Sequence, residues 1–169
     1  MSQSPPRPLI RLAPMVLGLL TLLWAAGPVA AARPPANDQL RKATVVAQLP
    51  FAETVDTTGA KRSPSDPAPS CVFNYGATVF YTITPSESTL VTVDTTGSSY
   101  DTVLTVLAVT DAGRAEVACV DDDDGGNLQA YLQFSAEAGT TYVIMVSAFA
   151  NPDVVGQGGT LVFTVGAAV

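Results

Sequence analysis

The stretch TLVTVDTTGSSYDTVLTVLAVT, residues 89–110, has the form of two strands around one turn. In its first half Val91 and Val93 oppose Thr92 and Asp94, the period of two that sends successive side chains to opposite faces of a sheet. Its second half, DTVLTVLAVT, is apolar on both faces, which predicts a central strand. Between them TTGSS supplies turn residues. The same alternation recurs on both sides. ATVFYTIT (77–84) places Val79, Tyr81 and Ile83 on one face, and LQAYLQFSA (128–136) does so with Leu132 and Phe134. TTYVIMVSAF (140–149) aligns Tyr142, Ile144 and Val146, and GTLVFTV (159–165) aligns Leu161, Phe163 and Val165. With ATVVAQ (43–48) and FAETVDT (51–57) this makes about eight strands, punctuated by turns such as TDAGR, DDGGN and AEAGTT. Helix signals are confined to one turn at NDQLRKA, and residues 59–70, rich in Pro and Ser, predict a long exposed loop. Two half-apolar sheets must bury their faces against each other, so the expected fold is all-β, a β-sandwich or jelly roll of antiparallel strands.

The first 32 residues have the form of a secretory signal. Arg7 and Arg11 precede the apolar run LAPMVLGLLTLLWAAG and the small-residue stretch PVAAA. That run is shorter than the roughly 20 apolar residues of a spanning helix, so cleavage is expected rather than retention as an anchor, with no membrane association afterwards. The rest, a lead-in at 33–43 and a domain at 44–169, is one domain's length. The chain carries 8 basic and 15 acidic residues, and removing Arg7 and Arg11 takes the formal charge from -7 to -9. Nucleic acid is therefore not expected as a partner. An exported chain suits a disulfide between its two cysteines, Cys71 and Cys119, with free buried thiols as the alternative. The expected location is secreted, periplasmic or cell-surface.

Taken in order, PANDQL (35–40), SCVFNYGATVFYTITP (70–85), TVDTTGSSYDTVLTVL (92–107), VACVDDD (117–123), FSAEAGTTYVIMVSAF (134–149) and GTLVFTV (159–165) resemble the bacterial pre-peptidase C-terminal domain family. Phe80, Thr96 and Val120 depart from that pattern, standing where tryptophan, cysteine and asparagine are usual. With Thr96 in place of the usual cysteine, the resemblance leaves Cys71 as the partner of Cys119. It further implies a β-sandwich of jelly-roll type, a non-catalytic accessory role on secreted hydrolases and, in some relatives, binding of calcium and an extracellular polymer. Asp101, the family's recurrent aspartate at a strand start, is expected to hold the turn by accepting backbone N–H bonds.

The run Asp121–Asp124 raises the question of a cation, since four adjacent carboxylates repel one another unless water or a metal intervenes. It is no EF-hand: counting from Asp121, position five is Gly125 and position twelve Leu132. In extended backbone Asp121 and Asp123 share one side, and the resemblance adds Asn37 and Asp38 as further Ca²⁺ ligands; a solvated acidic turn is the competing account.

Enzyme readings fare poorly. The chain has no histidine, which removes Ser-His-Asp and Cys-His machinery. DTTG occurs twice, at 56–59 and 94–97, but the extra threonine breaks the Asp-Thr-Gly of aspartic proteases. The chain is expected not to be an enzyme but a binding module for an extracellular polymer or protein, with Tyr75, Tyr100, Tyr131 and Phe149 as candidate surface aromatics. The alternatives are a structural or secretion-related domain with no ligand beyond a cation and, remotely, a hydrolase of unrecognised class.

Overall fold

A computed structural model of the chain describes residues 32–122, 125–151 and 156–168. The signal sequence expected at 1–32 falls, up to residue 31, outside the described residues. Among the described residues, nine strands follow a 3-10 turn at Leu40–Lys42. They are β1 (Thr44–Val46), β2 (Phe51–Asp56), β3 (Asn74–Ile83), β4 (Thr89–Asp94), β5 (Thr102–Thr110), β6 (Gly113–Val120), β7 (Tyr131–Ala136), β8 (Tyr142–Ala150) and β9 (Thr160–Ala167). Among the described residues no helix is long and apolar enough to cross a membrane.

The strands form a five-stranded sheet in the order β1-β3-β8-β5-β6 and a four-stranded sheet in the order β2-β9-β4-β7. The pairing is nested: β5 pairs with β6, β4 with β7, β3 with β8 and β2 with β9, all antiparallel. A long hairpin that turns at Asp111 and Ala112 has thus been rolled into two layers, which is the jelly-roll topology. Gly113, at φ 125°, takes the backbone through that reversal. β1 departs from the antiparallel expectation: it lies parallel to β3, Thr44 opposite Tyr81.

The period of two specifies the core. The residues assigned to inner faces in β3, β4, β7, β8 and β9 all enter one buried cluster, including Val79, Tyr81, Val91, Leu132, Ile144 and Phe163. Tyr81 stacks on Phe163 with ring centroids 3.8 Å apart. Where β4 gives way to its turn, the buried hydroxyls of Thr95 and Thr102 are 2.6 Å apart, Thr95 donates to Ala130 O, and the Ala130 N–H donates to Thr102. These bonds satisfy backbone groups at the point where the ladder ends.

The five-stranded sheet is buried on its outer face as well. Phe80, Val103, Leu107, Val143 and Met145 form a second cluster there with Val72 and Tyr75. Leu40 and Ala43 of the lead-in and Val72, just after residues 59–70, pack over it; residues 59–70 are exposed at half their positions and tied to β3 by hydrogen bonds from Tyr75 and Thr78. A bulge at Ala77 and Thr78, with Ala77 at φ 46°, turns the Thr78 hydroxyl onto Lys61 O and the Asp66 carboxylate. Cys71 and Cys119 are disulfide-bonded, which fastens the segment between β2 and β3 to β6.

Two strand expectations are corrected. β6 is a ninth strand that the pattern did not reveal, because its residues Gly113–Val117 are exposed and no face of it must be apolar. β5 is an interior strand but lies fourth in its sheet; the middle position belongs to β8, buried on both faces from Tyr142 to Ala148.

Candidate functional site

Asp101 immediately precedes β5 and Asp121 immediately follows β6. Because Leu104 pairs with Val120, the antiparallel register brings those two strand ends together. The backbone bends at Asp121 and Asp122 rather than continuing extended, so both present oxygens beside Asp101. One carboxylate oxygen from each of the three lies within 4.8 Å of the others. Asp101 and Asp121 are half-buried, and the Oδ1 atom of each is shielded from solvent without a hydrogen-bond partner. Burial, then the neighbouring Asp121 and Asp122 carboxylates, push the Asp101 pKa up to about 6 from 3.8. Asp121 is raised by the same causes, burial first and Asp122 second. Three crowded carboxylates, two of them with a shielded, unpaired oxygen, make a hard-oxygen donor set of the kind Ca²⁺ takes, the remaining ligands being backbone carbonyls and water.

The expected ligands divide. Asp121 belongs to the cluster, and Asp122, expected to face water, joins it. Asp123 lies outside the described residues. Asn37 is buried and engaged elsewhere: its side-chain Nδ2 donates to Phe80 O at 3.2 Å and its backbone carbonyl accepts from Phe80 N–H at 2.9 Å, pinning the lead-in to β3. Asp38 is not in the carboxylate cluster; it lines a groove on the outer face of the five-stranded sheet.

The backbone carbonyl of Asp101 accepts from Phe149 N–H, and its side-chain Oδ1 has no hydrogen-bond partner. Carboxylates that hold turns among the described residues include Asp56, accepting from Thr58 N–H at 2.9 Å, and Asp94, accepting from Thr96 N–H at 2.7 Å. The Thr58 bonds hold the Asp56 pKa below its ordinary value. These are the aspartates of the two DTTG stretches. They lie on either side of β9, opposite Thr160 and Thr164, too far apart to share a proton.

The four aromatics do not form an exposed platform. Tyr75 is buried, with its hydroxyl donating to Pro67 O and the Arg62 guanidinium over its ring. Phe149 packs against the outer cluster, and Tyr100 against the inner core with its hydroxyl shielded. Only Tyr131 is exposed, and its hydroxyl accepts from Gln133.

Fold and site together define a disulfide-bonded jelly-roll sandwich with an acidic cluster at one end of its larger sheet. No protein-family model and no curated protein matches the chain. Among solved structures, it is similar to the pre-peptidase C-terminal domain of a collagenase from Bacillus anthracis, at 12% identity and a TM-score of 0.48 over 75% of this chain and 94% of that one. A periplasmic inhibitor of g-type lysozyme from Aeromonas hydrophila is similar at 15% identity and a TM-score of 0.42, covering 74% of this chain and 96% of that one. A family 35 carbohydrate binding module from an environmental isolate follows at 12% and 0.34, over 58% and 69%. At these values the likenesses assign no ligand.

Proposed function

We propose that the chain is a secreted, non-catalytic binding module whose jelly roll is stabilised by Ca²⁺ at Asp101, Asp121 and Asp122 and which holds an extracellular polymer or protein. The observation that carries the cation is the pair of shielded, unpartnered Oδ1 atoms on Asp101 and Asp121 within a three-carboxylate cluster. Buried polar atoms are nearly always paired, and a divalent ion would pair these while cancelling the repulsion among the three charges. The disulfide supports an oxidising compartment, where extracellular calcium is at the millimolar level such modules use. Joining the start of β5 to the end of β6, the ion stabilises the folded state by mass action.

Calorimetric scans with millimolar calcium and with chelator test this. A clearly higher midpoint in calcium is expected, and Asp121→Asn combined with Asp122→Asn should abolish the difference. Superimposable scans of the parent protein would reduce the cluster to a solvated acidic turn. Retention on one of a panel of polysaccharides and matrix proteins tests the binding role, which retention on none of them would refute.

A further inference from the structure

Residues 33–169 contain six cationic side chains against fifteen acidic ones, and four of the six, Arg41, Lys61, Arg62 and Arg114, line a single groove of about 730 Å³. They come from three separate parts of the chain: the lead-in before β1, the segment between β2 and β3, and the start of β6. The groove lies on the outer face of the five-stranded sheet, at the end opposite the acidic cluster, where Thr82, Val109 and Val143 lie along it. Its two carboxylates, Asp38 and Asp66, leave a local charge of +2 on a protein that is otherwise strongly acidic. Asp66 is also tied into its own loop, accepting from Ser63 N–H and from the Thr78 hydroxyl, each at 2.7 Å. The contacts that orient the cations are with neutral groups: Arg41 donates to Gln39 Oε1 at 2.9 Å, and Arg62 lies 4.1 Å from the Tyr75 ring centroid. Cations gathered along one groove repel one another, and an entering anion would relieve that repulsion.

We infer that this groove binds an acidic polysaccharide carrying a carboxylate on its sugars. The inference rests on the binding-module reading and gives that module a site and a ligand class. Each part of the groove has a counterpart in a uronic-acid chain. Arginine forks match carboxylates in two-bond geometry. The hydroxyls of Ser63, Ser65 and Thr141 suit sugar hydroxyls, and the apolar strip of Leu40, Val109 and Val143 suits the C–H face of a ring. Nucleic acid fits worse, since a duplex carries one charge per about 1.7 Å and would extend past the groove onto the acidic remainder of the protein.

The test is affinity electrophoresis in calcium-free sodium buffer through gels containing polygalacturonate, its fully methyl-esterified form, dextran or gelatin. Retardation by polygalacturonate and not by the neutral ester is expected. Arg41→Gln with Arg114→Gln should weaken it about tenfold, two surface charges each worth up to about 1 kcal/mol. Arg33→Gln with Lys42→Gln, which removes the same charge outside the groove, should change it less than about twofold by the same scale. Both double variants should keep the parent's melting temperature. Equal retardation by the ester, or equal weakening by both double variants, would overturn the inference. Retardation by dextran or gelatin alone would overturn it and leave the binding-module reading standing, whereas retardation by none of the four would count against both.

Discussion

The crowding of Asp101 makes the stability of the protein depend on pH in a direction that calcium should reverse. In the folded state its pKa is about 6, against 3.8 when solvated. The folded chain therefore holds a proton more tightly than the unfolded chain across that window, and the associated stability is fully present below pH 4 and lost as pH rises through 6. The gap corresponds to about 3 kcal/mol as a ceiling. Water still reaches the half-buried carboxyl and screens its neighbours, so about 1 kcal/mol is the realistic size. A little under half of it falls between pH 5 and pH 7, so for a domain of this length Tm should fall by roughly 1–2 °C across that window. Asp121, raised by the same causes, adds in the same direction. Asp56, whose pKa is lowered, acts only below its ordinary range and leaves this window alone. Calcium competes with the proton for the same oxygens, so at millimolar calcium Tm should instead rise from pH 5 to pH 7. The assay is a set of thermal scans at half-unit pH steps, in chelator and in calcium, on the parent and on Asp101→Asn. In chelator the variant should lack the fall from its own share of the slope. A parent Tm that climbs from pH 5 to 7 in chelator, or that Asp101→Asn leaves unaltered at every pH, would refute the reasoning.

Two further outcomes are expected. Replacing Cys71 and Cys119 with serine should cost about 2–4 kcal/mol by denaturant titration, the loop entropy for a separation of 48 residues setting a ceiling of about 4, and the denatured, unreduced parent should contain no titratable thiol. Thr102→Val keeps the side-chain shape but leaves the Ala130 N–H and the Thr95 hydroxyl short of a partner, so it should destabilise by about 2 kcal/mol; a loss below about 0.5 would mean the turn relaxes onto another acceptor.

The sandwich was legible wherever one face of a strand had to be apolar. Val91 and Val93 alternate with Thr92 and Asp94 because β4 has one buried face, and each inner-face assignment of that kind reached the core. β6 was illegible for the complementary reason: with Arg114, Ala115 and Glu116 exposed at a sheet edge, nothing in it carries a period. The acidic cluster was half legible. Asp121 is conspicuous in its run, but the contribution of Asp101, twenty residues earlier, depends on the β5–β6 register. Asp122 was missed because an extended backbone would turn it away from Asp121, whereas the chain bends at Asp121 and Asp122. Tyrosine suits a core edge as well as a surface, and the candidates divide accordingly: Tyr131 is exposed and Tyr75 took the core. Arg41, Lys61, Arg62 and Arg114 give no local signal at all, their grouping being a product of the roll.

That rolled hairpin brings the two ends of the sandwich side by side. Phe51, opening β2, is the register partner of Val165, near the close of β9, so their Cα atoms lie about 5 Å apart. A short linker across that gap, replacing the segment ahead of Phe51 that carries β1, would let the polypeptide be reopened at the exposed tip of Asp111 and Ala112, and the resulting circular permutant should form the four nested strand pairs with β6 as its first strand and β5 as its last, lacking only β1.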